Sequence, residues 1–336
     1  MKILVTGANG FIGSALIRHL IAKKFDYDIF CAVRKTSNTT KLKNLGVKMV
    51  NFDLDDYSTF ESAVRDKDII VHLAANFDFL ASEKSLFKQN VEATKKLADI
   101  CLSFQIKHFI YSSSTEALGI VSDGTEESDY HPDEIYGKSK MEAEKLLLQM
   151  YHEKNFPVTI VRPSGIFGPE DNYVFKELIE SIDRTILNKI VPTRAMNKLH
   201  FTYIDDVVRG LVQIIQNPRI SIGQIYHLAS DEPQTYRQIF CTIADKIGRS
   251  RPIFIPYFPL ILAKPFWPLL MKFYRWKGFG YPYVPNALNK LQTNRNYLNI
   301  KAKKEIDFHP EITFDEGVER TIDWMRSQNM IKTKKR

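Results

Sequence analysis

Cysteine is scarce in this sequence. The 336 residues contain three, Cys31, Cys101 and Cys241, and no two of them stand at a metal-ligand spacing. An odd number of distant cysteines argues against a disulfide framework and against a cysteine metal centre, so no metal is expected. Such usage fits buried thiols in a reducing compartment.

Long hydrophobic runs are also missing. In the apolar region near residue 260, the longest stretch without a charge covers 252–263, well short of the ~20 residues that a membrane-spanning helix needs. The chain opens with MKILVTG, without an apolar stretch followed by a cleavage site. We therefore expect a cytoplasmic protein, with peripheral association with a membrane left open.

Positive charge is in excess but carries no recognition pattern. The formal net charge is +8, part of it in the terminal KTKKR at 332–336. This excess would permit a phosphate-bearing ligand, an anionic membrane surface or a nucleic acid as a partner. The tail has no interleaved aromatic residues, and no nucleic-acid-binding motif accompanies the charge. We expect a solvated tail and no nucleic-acid partner.

The first half of the sequence alternates β-branched runs with helical patterns. Strands are predicted at 2–6, 27–33, 47–52, 68–73, 107–112 and 157–162, with helices at 11–24, 57–66, 84–104 and 136–155. Apolar strands separated by helices indicate right-handed βαβ crossovers and a parallel sheet covered on both faces. The predicted fold class is α/β with a doubly wound parallel sheet.

After residue 165 the alternation stops. Residues 199–215 read as a strand and a helix that return to the sheet, and 224–230 as a further strand. We expect a first domain over 1–165 with returning segments at 199–230 and 305–330, and a smaller, interleaved C-terminal substrate lobe over 166–198 and 231–304.

Three glycines, Gly7, Gly10 and Gly13, follow the first predicted strand in TGANGFIG. A tight strand-to-helix turn needs glycine dihedrals, and close approach of the backbone to a pyrophosphate needs a missing Cβ. The helix N-terminus adds amides and a positive dipole. This context predicts a dinucleotide site, although the spacing differs from the commonest Gly-x-Gly-x-x-Gly fingerprint.

With the motifs downstream, this opening resembles the extended branch of the short-chain dehydrogenase/reductase superfamily. HLAA (72–75), NVEAT (90–94), SSST (112–115), YGKSK (136–140) and RPSGIFGP (162–169) follow in the family's order. The resemblance covers residues 1–230 and implies a Rossmann-type fold. It implies these cofactor contacts: Gly7, Asn9, Gly10, Phe11, Ile12, Gly13, Asp53, Leu54, Leu73, Ala74, Ala75, Asn90, Ser112, Tyr136, Lys140, Pro163 and Ile166.

Two of these positions have alternatives. Asp53 matches the family aspartate near the adenine, but it equally suits a helix cap, given Asp55 and Asp56 beside it. Asn90 matches a family helix position at which a structural role fits as well as a catalytic one.

The end of the second predicted strand favours NADP. NAD-selective folds usually place a carboxylate there for the ribose 2′-hydroxyl, whereas an arginine suits a 2′-phosphate. Arg34, with Lys35 beside it, stands at that place in AVRKTSN, and a cation forms a charge-assisted pair with a phosphate. NAD remains the alternative, and a solvated Arg-Lys pair is the other interpretation.

Tyr136 and Lys140 are one helical turn apart, so both can face one site. A free phenol has a pKa near ~10, and an adjacent ammonium stabilises the phenolate and makes proton exchange with an alcohol or carbonyl feasible. The alternative is a tyrosine at a helix start with an unrelated surface lysine. The resemblance implies a third participant, and counting back from Gly119 selects Ser114, with Ser113 as the fallback.

The resemblance leaves the reaction open. The 4,6-dehydratases share a Thr-Asp-Glu triplet where this sequence has Ser114, Thr115 and Glu116, so the acid aspartate is absent. Sugar-nucleotide members often have an Arg-Asp pair where Leu199 and His200 stand here. FTYIDDVV resembles hydroxysteroid-dehydrogenase-like and dihydroflavonol-reductase-like members more closely.

We therefore expect hydride transfer between nicotinamide C4 and a secondary alcohol or ketone that is apolar, of steroid, flavonoid or lipid type. A nucleotide-sugar epimerase without net redox change is the alternative. The proline- and aromatic-rich residues 252–285 suit an apolar pocket, a peripheral membrane contact or plain lobe core. A homodimer is also left open.

Overall fold

The computed structural model describes residues 1–78, 81–184, 190–191, 193–255 and 291–331. The strands are β1 (Lys2–Thr6), β2 (Asp28–Val33), β3 (Lys48–Asn51), β4 (Ile69–His72), β5 (His108–Ser112), β6 (Val121–Gly124), β7 (Val158–Pro163), β8 (Gly165–Phe167), β9 (Ile190–Val191), β10 (Lys198–Leu199), β11 (Phe201–Tyr203), β12 (Ile225–Leu228), β13 (Gln234–Thr235), β14 (Ile253–Phe254) and β15 (Arg295–Tyr297).

The helices alternate with these strands. They are α1 (Phe11–Ala22), α2 (Thr40–Asn44), α3 (Phe60–Val64), α4 (Glu83–Phe87), α5 (Ala93–Ser103), α6 (Ile135–Lys154), α7 (Val174–Arg184), α8 (Ile204–Gln216), α9 (Pro218–Ser221), α10 (Tyr236–Ile247), α11 (Ile300–Ile306) and α12 (Phe314–Ser327). Within the described ranges, we find no helix long and apolar enough to cross a bilayer.

Seven parallel strands form the main sheet, which confirms the predicted doubly wound Rossmann-type fold. Their order is β3-β2-β1-β4-β5-β7-β12. The chain order reverses between β1 and β4, and ligands of such sheets bind at the carboxyl ends of the strands at this switch point. The cofactor turn follows β1, and the predicted catalytic serine follows β5, one strand beyond β4.

The central strands are apolar because both sheet faces are covered. Every residue of β4, β5 and β7 is buried. One hydrophobic cluster joins strand residues such as Ile70 and Phe109 to Leu97 of α5 and Leu147 of α6. Helices α1 and α8 pack against each other, and α8 also contacts β7 and β12. The buried sheet therefore anchors the cofactor turn after β1 and the serine-bearing loop after β5.

Three helical regions differ in detail from the prediction. The helix predicted at 57–66 begins as a 3-10 turn at Tyr57–Thr59 before α3. The single helix predicted at 84–104 consists of α4, a π-helical segment at Lys88–Glu92 and α5. The short α2 lies where the sequence predicted no helix.

The chain divides into two compact units. Unit 1 comprises Met1–Ile166, Phe201–Asp231 and Tyr297–Thr313, and unit 2 comprises Phe167–His200, Glu232–Asn296 and Phe314–Arg336. Helix α12, which the expected returning segment 305–330 included, belongs to unit 2. Its apolar face packs on α10, and Lys246 of α10 forms ion pairs with Asp315 and Glu319.

Two sequence features fall largely or wholly beyond this description. Most of the aromatic-rich stretch 252–285 and the whole basic tail 332–336 lie outside the described residues. Every residue predicted to bind cofactor or to act in catalysis belongs to unit 1.

Candidate active site

The glycine turn between β1 and α1 is shaped by close backbone packing. Gly7 has φ +65°, in the left-handed region that favours glycine. A Cβ on Gly7 would lie 2.9 Å from the amide nitrogen of Ala74, and one on Gly13 would lie 2.3 Å from the carbonyl oxygen of Gly7. These two glycines are therefore required by the chain's own packing.

Gly10 has a different environment. Apart from atoms of its two chain neighbours, a Cβ there would meet only the Gly7 oxygen, at 3.1 Å, within 4 Å among the described residues. Gly10 caps α1 without a side-chain hydrogen bond, and the first turn holds no acidic residue. The first amides of a helix have no partner within the helix, and together with the open space beside Gly10 they fit the pyrophosphate of a dinucleotide. Asn9 is exposed, and Phe11 and Ile12 are half-buried.

Two cations extend from the end of β2. Arg34 directly follows Val33, and Lys35 follows Arg34 in a turn closed by a hydrogen bond from the Ser37 amide to the Arg34 carbonyl, 3.0 Å. Both side chains are exposed. Neither has a hydrogen-bond or ion-pair partner among the described residues, so both charges are available to a ligand.

Asp53 follows β3 and organises its own turn. Its Oδ1 accepts a hydrogen bond from the amide of Asp55 at 3.1 Å. The helix cap is Asp56, whose Oδ1 accepts a hydrogen bond from the amide of Ser58 at 3.2 Å. The helix-cap alternative proposed for Asp53 is thus taken by Asp56, and the second carboxylate oxygen of Asp53 has no hydrogen bond among the described residues.

The segment after β4 lies against the cofactor turn. Leu73, Ala74 and Ala75 are half-buried. The amide of Ala74 donates to Oγ1 of Thr6 at 3.1 Å, which fixes this segment to the end of β1. Leu54, three residues after β3, is partly buried against the hydrophobic cluster.

A buried histidine connects the cofactor turn with the next helix. Thr94 Oγ1 donates to the carbonyl of Asn90 at 2.7 Å, so it accepts from Nε2 of His72 at 3.2 Å. Nδ1 of His72 then accepts from the Thr6 hydroxyl at 2.7 Å. Burial, and then the nearby Lys140 charge, lower the pKa of His72 to about 3. His72 is therefore a neutral, fully bonded linker.

Asn90 joins three elements through its side-chain amide. It lies in the π-helical segment and is 1% exposed. Its Nδ2 donates to the carbonyl of Asn76 at 2.9 Å and to Oγ of Ser139 at 3.0 Å, and its Oδ1 accepts from the Asn76 amide at 2.7 Å. Ser139 Oγ donates in turn to the carbonyl of Tyr136 at 2.7 Å. Both amide hydrogens are engaged, so the geometry favours the structural role for Asn90.

Asn76 and Ser139 were absent from the sequence predictions. Asn76 directly follows HLAA, and Ser139 lies within YGKSK. Their polarity beside predicted motifs was the only signal available, because Asn76 lies 14 residues and Ser139 lies 49 residues from Asn90 in the sequence.

Tyr136 and Lys140 meet as the helical spacing predicted. Tyr136 is 8% exposed and Lys140 2%. Lys140 Nζ donates to the carbonyl oxygen of Ser112 at 2.7 Å and lies 5.9 Å from the Tyr136 ring centroid and 4.8 Å from that of Tyr111. Burial lowers the pKa of Lys140 to about 7, and the Glu144 carboxylate opposes this shift. A surface lysine unrelated to Tyr136 is thereby excluded.

The two candidate serines differ in accessibility. Ser114 is half-buried, and its Oγ accepts from the Glu116 amide at 3.1 Å, which leaves its hydroxyl hydrogen free to donate. Ser113 is 3% exposed, and its Oγ is buried without a hydrogen-bond partner among the described residues. Ser114 is the better placed of the two to reach a ligand.

Gly137 was not among the predicted site residues, although it stands inside YGKSK. A Cβ there would lie 2.2 Å from the carbonyl oxygen of Glu116. This close approach packs the start of α6 against the turn that begins at Ser114. Gly137 thus sets the separation between the start of α6, which carries Tyr136, and the turn that begins at Ser114.

Pro163 and Ile166 stand at the end of β7 and just beyond it. Pro163 is buried and Ile166 is half-buried. β7 is the direct parallel neighbour of β5, so Pro163 lies at the same carboxyl end of the sheet as Ser112, and Ile166 follows in β8.

The chain belongs to the NAD dependent epimerase/dehydratase family, whose sequence model matches residues 3–229. It is therefore an enzyme of that family, as the ordered motifs predicted. The resemblance to extended short-chain dehydrogenases is confirmed by the relatives and by the fold.

Curated relatives differ in their chemistry. The human sterol-4-alpha-carboxylate 3-dehydrogenase, decarboxylating, is 26% identical over 356 residues, covering 98% of this chain and 89% of that protein. The Vibrio cholerae UDP-glucose 4-epimerase is 27% identical over 333 residues, covering 95% and 94%. An Arabidopsis thaliana 3beta-hydroxysteroid-dehydrogenase/decarboxylase isoform 2 is 26% identical, and the chain spans 61% of its length.

Among solved structures, UDP-glucuronic acid 4-epimerase from Bacillus cereus, in complex with UDP-glucuronic acid and NAD, has a TM-score of 0.76. Its identity is 21%, with 98% of this chain and 100% of that chain covered. This similarity shows the shared fold.

Proposed function

We propose that this enzyme transfers a hydride between a nicotinamide cofactor and the carbinol or carbonyl carbon of an apolar secondary alcohol or ketone, with Tyr136 as the proton donor and acceptor. The observation that carries the proposal is the buried ammonium of Lys140, whose Nζ lies 5.9 Å from the Tyr136 ring centroid. A bound nicotinamide dinucleotide supplies the hydride donor or acceptor.

The proton step belongs to the chain's own residues. In the reducing direction the Tyr136 hydroxyl gives its proton to the substrate oxygen, and the Lys140 ammonium stabilises the phenolate that remains. The Ser112 carbonyl, at 2.7 Å, holds Lys140 in place. The Ser114 hydroxyl donates a hydrogen bond that orients the substrate oxygen. In the oxidising direction each transfer runs backwards.

NADP is the proposed cofactor because of two cations after β2, Arg34 and Lys35, that have no partner among the described residues. A 2′-phosphate beside Arg34 and Lys35 would gain charge-assisted hydrogen bonds, whereas a free 2′-hydroxyl gains much less from them. The glycine turn accepts either dinucleotide, so the preference rests on these two side chains alone.

An apolar substrate is supported by two features. Leu199 and His200 stand where sugar-nucleotide members often carry an Arg-Asp pair, so the arginine that would bind a sugar nucleotide's phosphates is missing there. Relatives that act on sterols by their names are also among the proteins most similar to the chain. A lipid-like substrate would suit peripheral membrane contact through the aromatic-rich sequence 252–285. The proposed assembly is a homodimer.

The second candidate is a nucleotide-sugar epimerase. Similarity to the Vibrio cholerae enzyme extends over 95% of this chain and 94% of that one. An epimerase would use the same tyrosine and lysine, but it would return the hydride to the same substrate without net redox change.

Turnover distinguishes the two. Purified protein would be incubated with NADPH and a steroid ketone, and separately with UDP-glucose, while NADPH absorbance and sugar products are followed. Net NADPH consumption with the ketone is expected. Interconversion of UDP-sugars without net consumption would replace the redox proposal with the epimerase.

A Tyr136→Phe variant tests the proton assignment. Loss of the hydroxyl should lower kcat roughly 10²- to 10⁴-fold, the usual contribution of a positioned acid. Tyr57→Phe is the control, since the only hydrogen bond of the Tyr57 hydroxyl among the described residues is a 3.5 Å contact with the Lys88 carbonyl. Full activity in Tyr136→Phe would refute the assigned role.

A further inference from the structure

A fully buried ion pair stands one helical turn beyond Lys140. Glu144 is 0% exposed and Arg162 of β7 is 1% exposed. Arg162 Nε donates to Oε1 and Oε2 of Glu144 at 3.0 and 3.1 Å, and its Nη2 donates to Oε2 at 2.6 Å. The Tyr130 hydroxyl donates to Oε2 at 2.8 Å. These hydrogen bonds hold the Glu144 carboxylate in a single orientation.

The guanidinium is fixed as completely. Arg162 Nη1 donates to the Glu126 carbonyl at 3.2 Å and faces Nε2 of His227 at 3.5 Å, and its Nη2 donates to the Tyr130 hydroxyl at 2.9 Å. His227 Nδ1 donates to a backbone carbonyl at 3.0 Å, which leaves Nε2 as an acceptor. Every N–H of Arg162 thus has an acceptor.

Stability alone does not account for such a pair. Removing two charges from water is costly, and well-packed apolar residues of similar volume often serve a fold as well or better. The pair instead joins the helix that carries Tyr136 and Lys140 to a central strand of the sheet. Because Tyr136, Lys140 and Glu144 follow at intervals of four, they share one face of α6.

We propose that Glu144, locked by Arg162, is a positioning residue for proton transfer: it holds the rotation of α6 and places a carboxylate on the helix face that carries Tyr136 and Lys140. This role rests on the proposed function of Tyr136 and Lys140. Within the described part of the chain, the charged or titratable groups that face Lys140 are Tyr136 and Glu144 on α6, Tyr111 on β5 and His72 on β4.

Glu144 is the only carboxylate in this set, since Tyr136 and Tyr111 carry phenols and His72 is neutral. Without Glu144, burial would act on Lys140 unopposed, and the ammonium would lose its proton at a lower pH. A neutral amine does not stabilise a phenolate, so the alkaline limb of activity would move to lower pH.

The experiment titrates Lys140 directly. Protein carrying ¹³Cε-labelled lysine would be followed by NMR from pH 5 to 10, with the Lys140 resonance assigned by its absence in Lys140→Met. In Glu144→Gln the midpoint should fall by about one pH unit or more, and the alkaline limb of kcat should shift with it. Glu142→Gln is the matched control, because Glu142 lies on α6 in an exposed pair with Lys145.

If Glu144→Gln does not fold, the double variant Glu144→Met/Arg162→Met replaces the pair with apolar residues of similar length. The lower Lys140 midpoint is expected there too. An unchanged midpoint in a folded variant overturns the proposal. The NMR midpoint can be measured without turnover. Full activity in Tyr136→Phe would therefore refute the proposed function and leave the measured Lys140 midpoint unaffected.

Discussion

At the scale of single residues, burial decides which charges can do chemistry. Lys140 is held at a pKa of about 7 by burial, so near neutral pH its charge responds to small changes in its surroundings. Arg34 and Lys35 are exposed and have no partner among the described residues, so their charges are available to bind a ligand. Lys140 therefore bears on proton transfer, whereas Arg34 and Lys35 bear on cofactor binding.

Arg34 should determine cofactor preference. In Arg34→Ala, NADPH affinity is expected to fall roughly 10- to 100-fold, the value of losing a hydrogen bond to a charged group, while NADH affinity stays nearly constant. Fluorescence titration of both cofactors measures this. Arg219→Ala, another exposed arginine of unit 1, should change neither affinity, and tighter binding of NADH by the unmodified protein would contradict the NADP assignment.

At the scale of elements, the site depends on how three segments are held together. The π-helical segment Lys88–Glu92 turns Asn90 toward both the loop after β4 and α6. The start of α6 rests on the turn after β5 through Gly137. These contacts determine where Tyr136 stands relative to Ser114, and neither follows from helical periodicity.

Gly137→Ala tests that packing. Alanine favours a helix by about 1 kcal/mol over glycine, yet its Cβ would collide with the Glu116 carbonyl at 2.2 Å, so α6 or the turn must move. A displacement of this kind should lower kcat roughly 10- to 100-fold.

Gly210→Ala in α8 is the matched control, since a Cβ there meets side-chain atoms of Leu228 at 2.6 Å rather than backbone. It should cost stability without a comparable loss of kcat. Equal kcat values for the two variants would show that the Gly137 contact does not position the site.

At the scale of the whole molecule, the central sheet carries buried histidines that must stay neutral. His108 on β5 donates from Nε2 to Thr159 of β7 at 2.7 Å, because the Thr159 hydroxyl donates to the Ser221 carbonyl. Its Nδ1 is buried without a partner among the described residues. Burial lowers the pKa of His108 to about 4, so acid should weaken the sheet.

The sign follows from proton binding. Between pH 6.5, the ordinary histidine value, and about 4, the unfolded chain binds a proton at His108 and the folded chain does not. Folding stability therefore falls as pH falls, with a slope of up to ~1.4 kcal/mol per pH unit. His72 acts in the same direction.

His108→Gln keeps a donor for Thr159 and removes the titration. Amide hydrogen exchange of β5 and β7, measured from pH 7 to 4.5, should show the unmodified protein losing protection faster than the variant. The difference should be up to ~1.4 kcal/mol per pH unit. Parallel curves would mean that His108 does not titrate on unfolding.

The sequence alone determined the parts of this protein that depend on local spacing. Strand and helix alternation predicted the sheet, because apolar period and length are local properties. TGANGFIG predicted the turn at Gly7, Gly10 and Gly13, and the interval of four between Tyr136 and Lys140 predicted their shared face. Each of these signals lies within a few residues.

Only the tertiary structure decided how these parts are joined. The Glu144–Arg162 pair, the Asn76–Asn90–Ser139 contacts and the collision that excludes a side chain at Gly137 connect residues far apart in sequence. The types of these residues give no periodic signal in the sequence. Their roles depend on contacts with residues of other elements, which only the folded chain brings together. Whether a lysine is a solvated surface charge or a buried ammonium of lowered pKa depends on what surrounds it, and the fold alone supplies those surroundings.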